Sequence, residues 1–346
     1  MHKARQSNIE LLRIIAMLMV LLLHATFETF GYAHTSSITH APWRWLSIIT
    51  TAAACMQCVN VFVLITGWFG TSFKLKGLLR IVSECTFISL AMFVFMYLLG
   101  LPLPHQLYDY LKVIWSYWFV RAYVLLYLFT PVLNSFVQQS SEKQLRHFLV
   151  LFFTLSIPLS FVSSDLSRGF STISFFGLYL LGRYMRLYLA PRLERYHTVA
   201  LLMPYIVNTL IMSLTLWSTA FFAPQFHNWF LPLFTAYSNP LVIISAMSLL
   251  LFFTRLQFKS HIINVVAAGS FAAYLTHQQA YVRPHYFQLI KFIDQQTSST
   301  ALYALAITVT IITLFMASAM LDVMWQRVYQ YVNTQLSRIC THKMPS

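Results

Sequence analysis

The stretch IELLRIIAMLMVLLLHATFE, residues 9–28, is a long apolar run that carries two residues poorly suited to lipid. A run of roughly 20 apolar residues is long enough to cross a bilayer as an α-helix. Arg13 lies near its start and His24 near its end, although charged and titratable side chains are costly in hydrocarbon. The stretch therefore predicts a membrane-spanning helix whose polar residues face protein or water.

The composition of the whole chain agrees with a membrane protein. Of its 346 residues, 58% are hydrophobic and only 9% are charged, whereas a soluble domain has about 25% charged residues. So few charges cannot cover a water-facing surface. The formal net charge is +14, but the basic residues are scattered between apolar runs and form no dense basic domain. We therefore expect membrane lipids, and no nucleic acid, among the partners of the chain.

Apolar runs of spanning length recur along the chain and predict an all-α transmembrane bundle of about ten helices. They fall at 9–30, 45–69, 78–100, 114–136, 146–163, 172–190, 198–222, 237–255, 262–283 and 301–323. Most Lys and Arg residues lie in the connections on the side of the N-terminus, and basic loops favour the cytoplasm. We expect an even number of spans, both termini in the cytoplasm, and one integral membrane domain over residues 1–346 with no appended soluble domain.

Arg13 and His24 are about three helical turns apart, so they project from nearly the same face, with about 16 Å of helix axis between them. Glu10 and Glu28 lie three residues before Arg13 and four after His24, which extends the pair into one polar stripe. Arg13 either reaches the interface and pairs with Glu10 or has a function. For the deeper His24 a function is favoured, because a buried neutral imidazole can act as a general base. Glu28 can orient it.

Several further segments, together with this stripe, resemble one protein family. Arg13 and His24 match the pattern of Arg, ten residues, His that opens membrane acyltransferase-3 proteins. Thr66-Gly67-Trp68 stands where a Ser-Gly-Phe type sequence is common in that family. The segments that resemble the family are NVFVLITGWFG (60–70), FKLKGLLR (73–80), YWFVRAYVLLYLFTPVLN (117–134), FFGLYLLGRYMR (175–186) and SFAAYLTHQ (270–278). The likeness covers nearly the whole chain.

The resemblance implies an enzyme that moves an acyl group, usually acetyl, from cytoplasmic acyl-CoA to a hydroxyl of a cell-surface or lipid-linked glycan. It implies that His24 is reactive, either as a base or as a transiently acylated residue, and that Arg13 is essential. Acyl-CoA is then a donor substrate, and no cofactor is bound permanently. The expected setting is the bacterial cytoplasmic membrane, with proteins of polysaccharide biosynthesis as partners.

Two clusters of basic residues on the expected cytoplasmic side are candidates for holding the phosphates of acyl-CoA, because Lys and Arg bind phosphate through charge-assisted hydrogen bonds. One cluster is Lys74, Lys76 and Arg80, and the other is Arg183 and Arg186. The alternative is that these residues only set the topology of the inner loops.

Three residues are candidates for the acceptor site. Arg121 and Trp118 lie in the outer half of the fourth predicted span, where they bind the acceptor or serve the structure. His277, in the ninth span, either lines a cavity or makes a structural hydrogen bond. No spacing of His or Cys residues predicts a metal site.

A transporter of a glycan or small solute is the alternative function, because buried Arg, His and Glu side chains also build substrate pathways. The sequence shows neither repeated halves nor the paired broken helices that many transporters have. The prediction is therefore a membrane O-acyltransferase.

Overall fold

The computed structural model describes residues 5–31, 33–101, 116–297 and 299–342, and its regular secondary structure there is helical. Residues 114–115, at the start of the predicted fourth span, and the outermost residues of both termini lie outside these ranges. The helices are α1 Ser7–Leu23, α2 Thr35–His40, α3 Pro42–Cys55, α4 Cys58–Phe69, α5 Leu75–Leu98, α6 Trp118–Gln139, α7 Glu142–Leu159, α8 Thr172–Tyr184, α9 Met203–Phe222, α10 Pro224–Phe234, α11 Pro240–Arg255, α12 His261–Val266, α13 Ser270–Gln278, α14 Arg283–Gln296 and α15 Thr300–His342.

Six helices within the described ranges are long and apolar enough to cross a membrane. They are Ser7–Glu28, Pro42–Phe69, Leu75–Leu98, Trp118–Gln139, Thr198–Phe222 and Thr300–Gln335. The other predicted spans are also helical, but their helices are shorter, carry more charge or are interrupted, and correspond to α7, α8, α11 and the pair α12–α13. The prediction of an all-α polytopic helix bundle is confirmed.

Contacts at the two ends of α1 define two ends of the bundle. At its start, the Arg5 guanidinium donates a hydrogen bond to the Asn264 carbonyl, with 2.7 Å between the nitrogen and the oxygen. At the other end, Arg283 pairs with Glu28 at 2.8 Å. We call these the Arg5 end and the Glu28 end. α1 runs from the Arg5 end to the Glu28 end. α12 and α13 run beside it in the same direction, because Asn264 of α12 contacts Arg5 and Gln278 at the end of α13 contacts His24.

The end of α1 widens into a π-helical turn over His24–Glu28. The Thr29 hydroxyl donates to the His24 carbonyl oxygen at 2.8 Å, which satisfies one acceptor in this loosened turn. The prediction that His24 and Glu28 share a face requires a regular α-helix up to Glu28. The structure departs from that regular helix at His24. Turns of this kind occur often at functional sites.

Helices α4 and α8 cross closely because glycines meet at the crossing. A Cβ atom on Gly67 would collide with the Tyr179 carbonyl oxygen, and one on Gly182 would approach the Leu64 carbonyl oxygen to 2.5 Å. Small residues allow membrane helices to approach closely. This contact explains why the Thr66-Gly67-Trp68 segment needs glycine at its centre.

Candidate functional site

A cavity of about 760 Å³ extends through the bundle from the Arg5 end to the Glu28 end. One wall is the polar stripe of α1: Glu10, Arg13, His24 and Glu28 all line the cavity. Apolar residues of the same helix, including Met17 and Val20, lie between the polar ones. The cavity therefore connects the level of the arginine with the level of the histidine.

Charged side chains of both signs surround the cavity at the Arg5 end. Arg13 pairs with Glu10 at 2.9 Å, and the Arg13 side chain is 35% exposed. Arg5 and Arg80 line the same region, and the Arg80 guanidinium carbon lies 5.2 Å from the centre of the Trp325 ring. This mouth presents guanidinium groups that can bind phosphate groups.

Two carboxyl groups also line the Arg5 end of the cavity. Glu84, one turn after Arg80 on α5, is buried, and its Oε1 atom has no hydrogen-bond partner among the described residues. Asp322 of α15 is buried beside this region and accepts a hydrogen bond from Gln326 at 2.6 Å. The Arg5 end can therefore accept hydrogen bonds as well as bind anions.

His24 is 8% exposed and has partners on both ring nitrogens. Its Nδ1 lies 2.8 Å from His277 Nε2 and 2.7 Å from the Gln278 amide nitrogen. Its Nε2 lies 3.6 Å from Glu28 Oε1, which is beyond an ordinary hydrogen bond but close enough for an ion pair when the ring is protonated. The ring is thus held on one side and free to exchange a proton on the other.

Glu28 is itself held by Arg283, whose guanidinium donates to Glu28 Oε2 at 2.8 Å. Both side chains are partly exposed at the far mouth of the cavity. This leaves Oε1 directed at His24 while the other carboxylate oxygen is occupied. A carboxylate in this position stabilises an imidazolium that forms next to it.

Aromatic side chains from other helices also line the cavity. Trp118 stacks on Tyr237 with 5.9 Å between ring centres and contacts Phe170 at 4.8 Å. Phe119 and Tyr274 line the cavity as well and lie 5.5 Å apart. A wall of this kind suits an apolar acyl chain or the apolar face of a sugar ring.

Comparison with known proteins shows which family the chain belongs to. The family model described as an acyltransferase domain, acyltransferase-3, matches residues 6–331. The chain belongs to the acyltransferase-3 family. No curated protein and no solved structure matches it. The chain is therefore a multi-pass membrane acyltransferase, an enzyme with an acyl donor and an acceptor, and the transporter alternative gives way to this assignment.

The other sequence-predicted residues of this acyltransferase-3 protein differ in where they lie. Lys74 and Lys76 are exposed and do not line the cavity, whereas Arg80 of the same cluster does. Arg186 donates to the Trp68 carbonyl oxygen at 2.9 Å. Arg183 lies against Gly70, near that contact but away from the cavity wall.

The two predicted acceptor residues on α6 separate in the same way. Trp118 lines the cavity, while Arg121 is exposed and does not. His277 is fully buried behind His24, so it contacts the catalytic candidate and not the cavity.

Several residues of the candidate site have no separate signal in the sequence. Gln278 follows His277 directly, but nothing in its neighbourhood points to His24. Arg283 reads as one of the few basic residues of the outer connections, and that scarcity is the one available hint to its role. Asp322 is an acidic residue at the end of a long apolar run, a rare placement that would have justified attention.

Proposed function

We propose that this acyltransferase moves an acyl group, usually acetyl, from cytoplasmic acyl-CoA to a hydroxyl of a cell-surface or lipid-linked glycan. The single observation that carries the proposal is the continuous cavity that joins Arg13 to His24. A donor held at the Arg5 end can extend its thioester along this cavity. The acyl group then needs no separate carrier to cover the distance between the two residues, which is about 16 Å along the helix axis.

The Arg5 end supports the binding of the nucleotide part of the donor. Arg5, Arg13 and Arg80 lie around one mouth of the cavity, and phosphate oxygens make strong hydrogen bonds to guanidinium groups. Lys74, Lys76, Arg183 and Arg186, outside the cavity wall, contribute a longer-range attraction to the same anion. This end faces the cytoplasm in our proposal, because basic residues favour that side.

His24 acts as the general base in the proposed reaction. Its Nε2 removes the proton from the acceptor hydroxyl as the hydroxyl oxygen attacks the thioester carbonyl carbon. The tetrahedral intermediate collapses, the carbon–sulfur bond breaks, and the imidazolium returns the proton to the departing thiolate. Glu28 stabilises the imidazolium between these two transfers, since its Oε1 is 3.6 Å from Nε2.

The Glu28 end receives the acceptor. Trp118 and its aromatic neighbours offer a surface for a sugar ring in the cavity that His24 also lines. We also propose that residues 1–346 form a single membrane domain in the bacterial cytoplasmic membrane, which works beside proteins that build the glycan. We propose that His277 contributes to this end by holding His24.

The test is transfer of labelled acetyl from acetyl-CoA to glycan in membrane vesicles that contain equal amounts of folded protein. His24→Gln should lower transfer by at least about 100-fold, the usual contribution of a general base. His227→Gln is the matched control, because His227 is also a buried histidine but does not line the cavity. Full transfer by a folded His24→Gln variant would refute the proposal, and a labelled ester on His24 itself would replace the base with a covalent route.

A further inference from the structure

We infer that His277 fixes the tautomer of His24, so that His24 carries its proton on Nδ1 and its lone pair on Nε2. This inference rests on the proposed role of His24 as the base and adds a positioning residue to it. The two histidines are 253 positions apart in the chain, and their rings lie with 5.0 Å between centres.

A backbone carbonyl fixes the protonation of His277. His277 Nδ1 lies 2.6 Å from the Ala273 carbonyl oxygen, one turn earlier on α13. A carbonyl oxygen can only accept a hydrogen bond, so His277 Nδ1 must carry a hydrogen. In a neutral His277 the other nitrogen, Nε2, therefore presents a lone pair.

The lone pair on His277 Nε2 determines which nitrogen of His24 carries the hydrogen. His24 Nδ1 lies 2.8 Å from that His277 Nε2, so His24 Nδ1 must donate its hydrogen to it. A neutral imidazole carries one N–H only, and His24 Nε2 is then the unprotonated nitrogen. This is the nitrogen beside Glu28, on the side of the ring that can remove a proton from an acceptor.

Gln278 places a competing demand on His24 Nδ1, because its amide nitrogen lies 2.7 Å away. An amide nitrogen donates, and would require a bare Nδ1. However, the amide can turn through a half-rotation and present its oxygen at the same place, since its two ends have nearly the same shape. The Ala273 carbonyl has no such freedom, so the requirement set by His277 prevails.

The spacing on the other side of the ring agrees with this tautomer. Two atoms that can only accept a hydrogen bond do not form one with each other. The unprotonated His24 Nε2 and Glu28 Oε1 are 3.6 Å apart, beyond hydrogen-bond distance. Arg283 holds the other Glu28 oxygen at 2.8 Å, which keeps the carboxylate in place. When Nε2 takes a proton, the same carboxylate faces a cation.

The direct test is nitrogen magnetic resonance of histidine-labelled protein in lipid nanodiscs. The chain has 12 histidines, so the His24 signals are assigned by difference from His24→Gln. We expect a protonated Nδ1 and an unprotonated Nε2 at the pH of activity. The opposite pattern, or a doubly protonated His277, overturns the inference without any variant of His277.

Kinetics provide a second measurement. His277→Phe removes the acceptor whose orientation is fixed and leaves only the Gln278 amide, which can present either of its ends to His24 Nδ1. It should lower kcat about tenfold while donor KM is unchanged. His277→Gln supplies an amide oxygen at the same place and should restore most of kcat and the nitrogen pattern of His24. An unchanged kcat and pattern in His277→Phe would overturn the inference.

The matched control is His227→Phe, which removes another fully buried histidine whose ring is also bonded to a backbone carbonyl, that of Ala33. It should leave kcat unchanged, which separates tautomer control from a general effect of losing a buried imidazole. The nitrogen spectra need no turnover. An intact His24 pattern together with full transfer by His24→Gln would therefore count against the proposed function and not against the tautomer.

Discussion

The two ends of the cavity are built differently. At the Arg5 end, Arg13 is partly exposed, Glu84 and Asp322 are buried, and guanidinium and carboxyl groups are mixed. At the Glu28 end, His24 is buried and is held by His277 and Gln278. The first arrangement suits the capture of a charged donor, and the second suits a proton transfer that depends on exact placement. Substitutions at the two ends should therefore affect different kinetic constants.

Apart from the loss of His24 itself, the largest effect is expected from Glu28→Gln at the Glu28 end. The change removes the carboxylate beside His24 and leaves the Arg283 cation without its partner, so both consequences disfavour the imidazolium. We expect kcat to fall on the order of 100-fold, with donor KM nearly unchanged. Steady-state kinetics in vesicles measure both constants.

The double variant Glu28→Gln/Arg283→Gln sharpens this prediction. It removes the uncompensated cation together with the carboxylate, so it should recover part of the lost kcat. Strictly additive losses would show that Arg283 acts separately from Glu28, and a large rise in donor KM would remove the contrast between the two ends.

A smaller effect, of the opposite kind, is expected from Arg13→Gln at the Arg5 end. Loss of one charge-assisted contact to phosphate should raise donor KM about tenfold and change kcat little. The decisive comparison uses an acetyl thioester of N-acetylcysteamine, which lacks all the phosphates of acetyl-CoA. If Arg13→Gln impairs both donors equally, Arg13 serves the structure or the chemistry rather than the phosphates.

The smallest effect is expected from Lys74→Ala and Lys76→Ala. Both side chains are exposed and lie away from the cavity wall, so salt screens their attraction to the donor. We expect donor KM to rise about threefold or less at low ionic strength and to be unchanged at high ionic strength. A rise in donor KM of about tenfold that does not depend on salt would place these lysines in direct contact with the donor.

Helical periodicity was sufficient to predict one wall of the site. Glu10, Arg13, His24 and Glu28 line the cavity because residues at these spacings share a face of one helix. The same reasoning could not separate Trp118, which lines the cavity, from Arg121, which is exposed, since the two lie one turn apart on α6. Which side of a helix faces the centre depends on its neighbours, and an isolated helix does not specify them.

The sequence by itself determined the class of the fold and the polar stripe, since the cost of charge in lipid and the length of a spanning helix are local properties. Only the tertiary structure decided that His24 meets His277, that Arg283 holds Glu28, and that one cavity joins His24 to Arg13. The two side-chain contacts connect residues 253 and 255 positions apart, and no rule of helical spacing reaches that far. They follow from the packing of α13 and α14 against the end of α1, which the whole bundle determines.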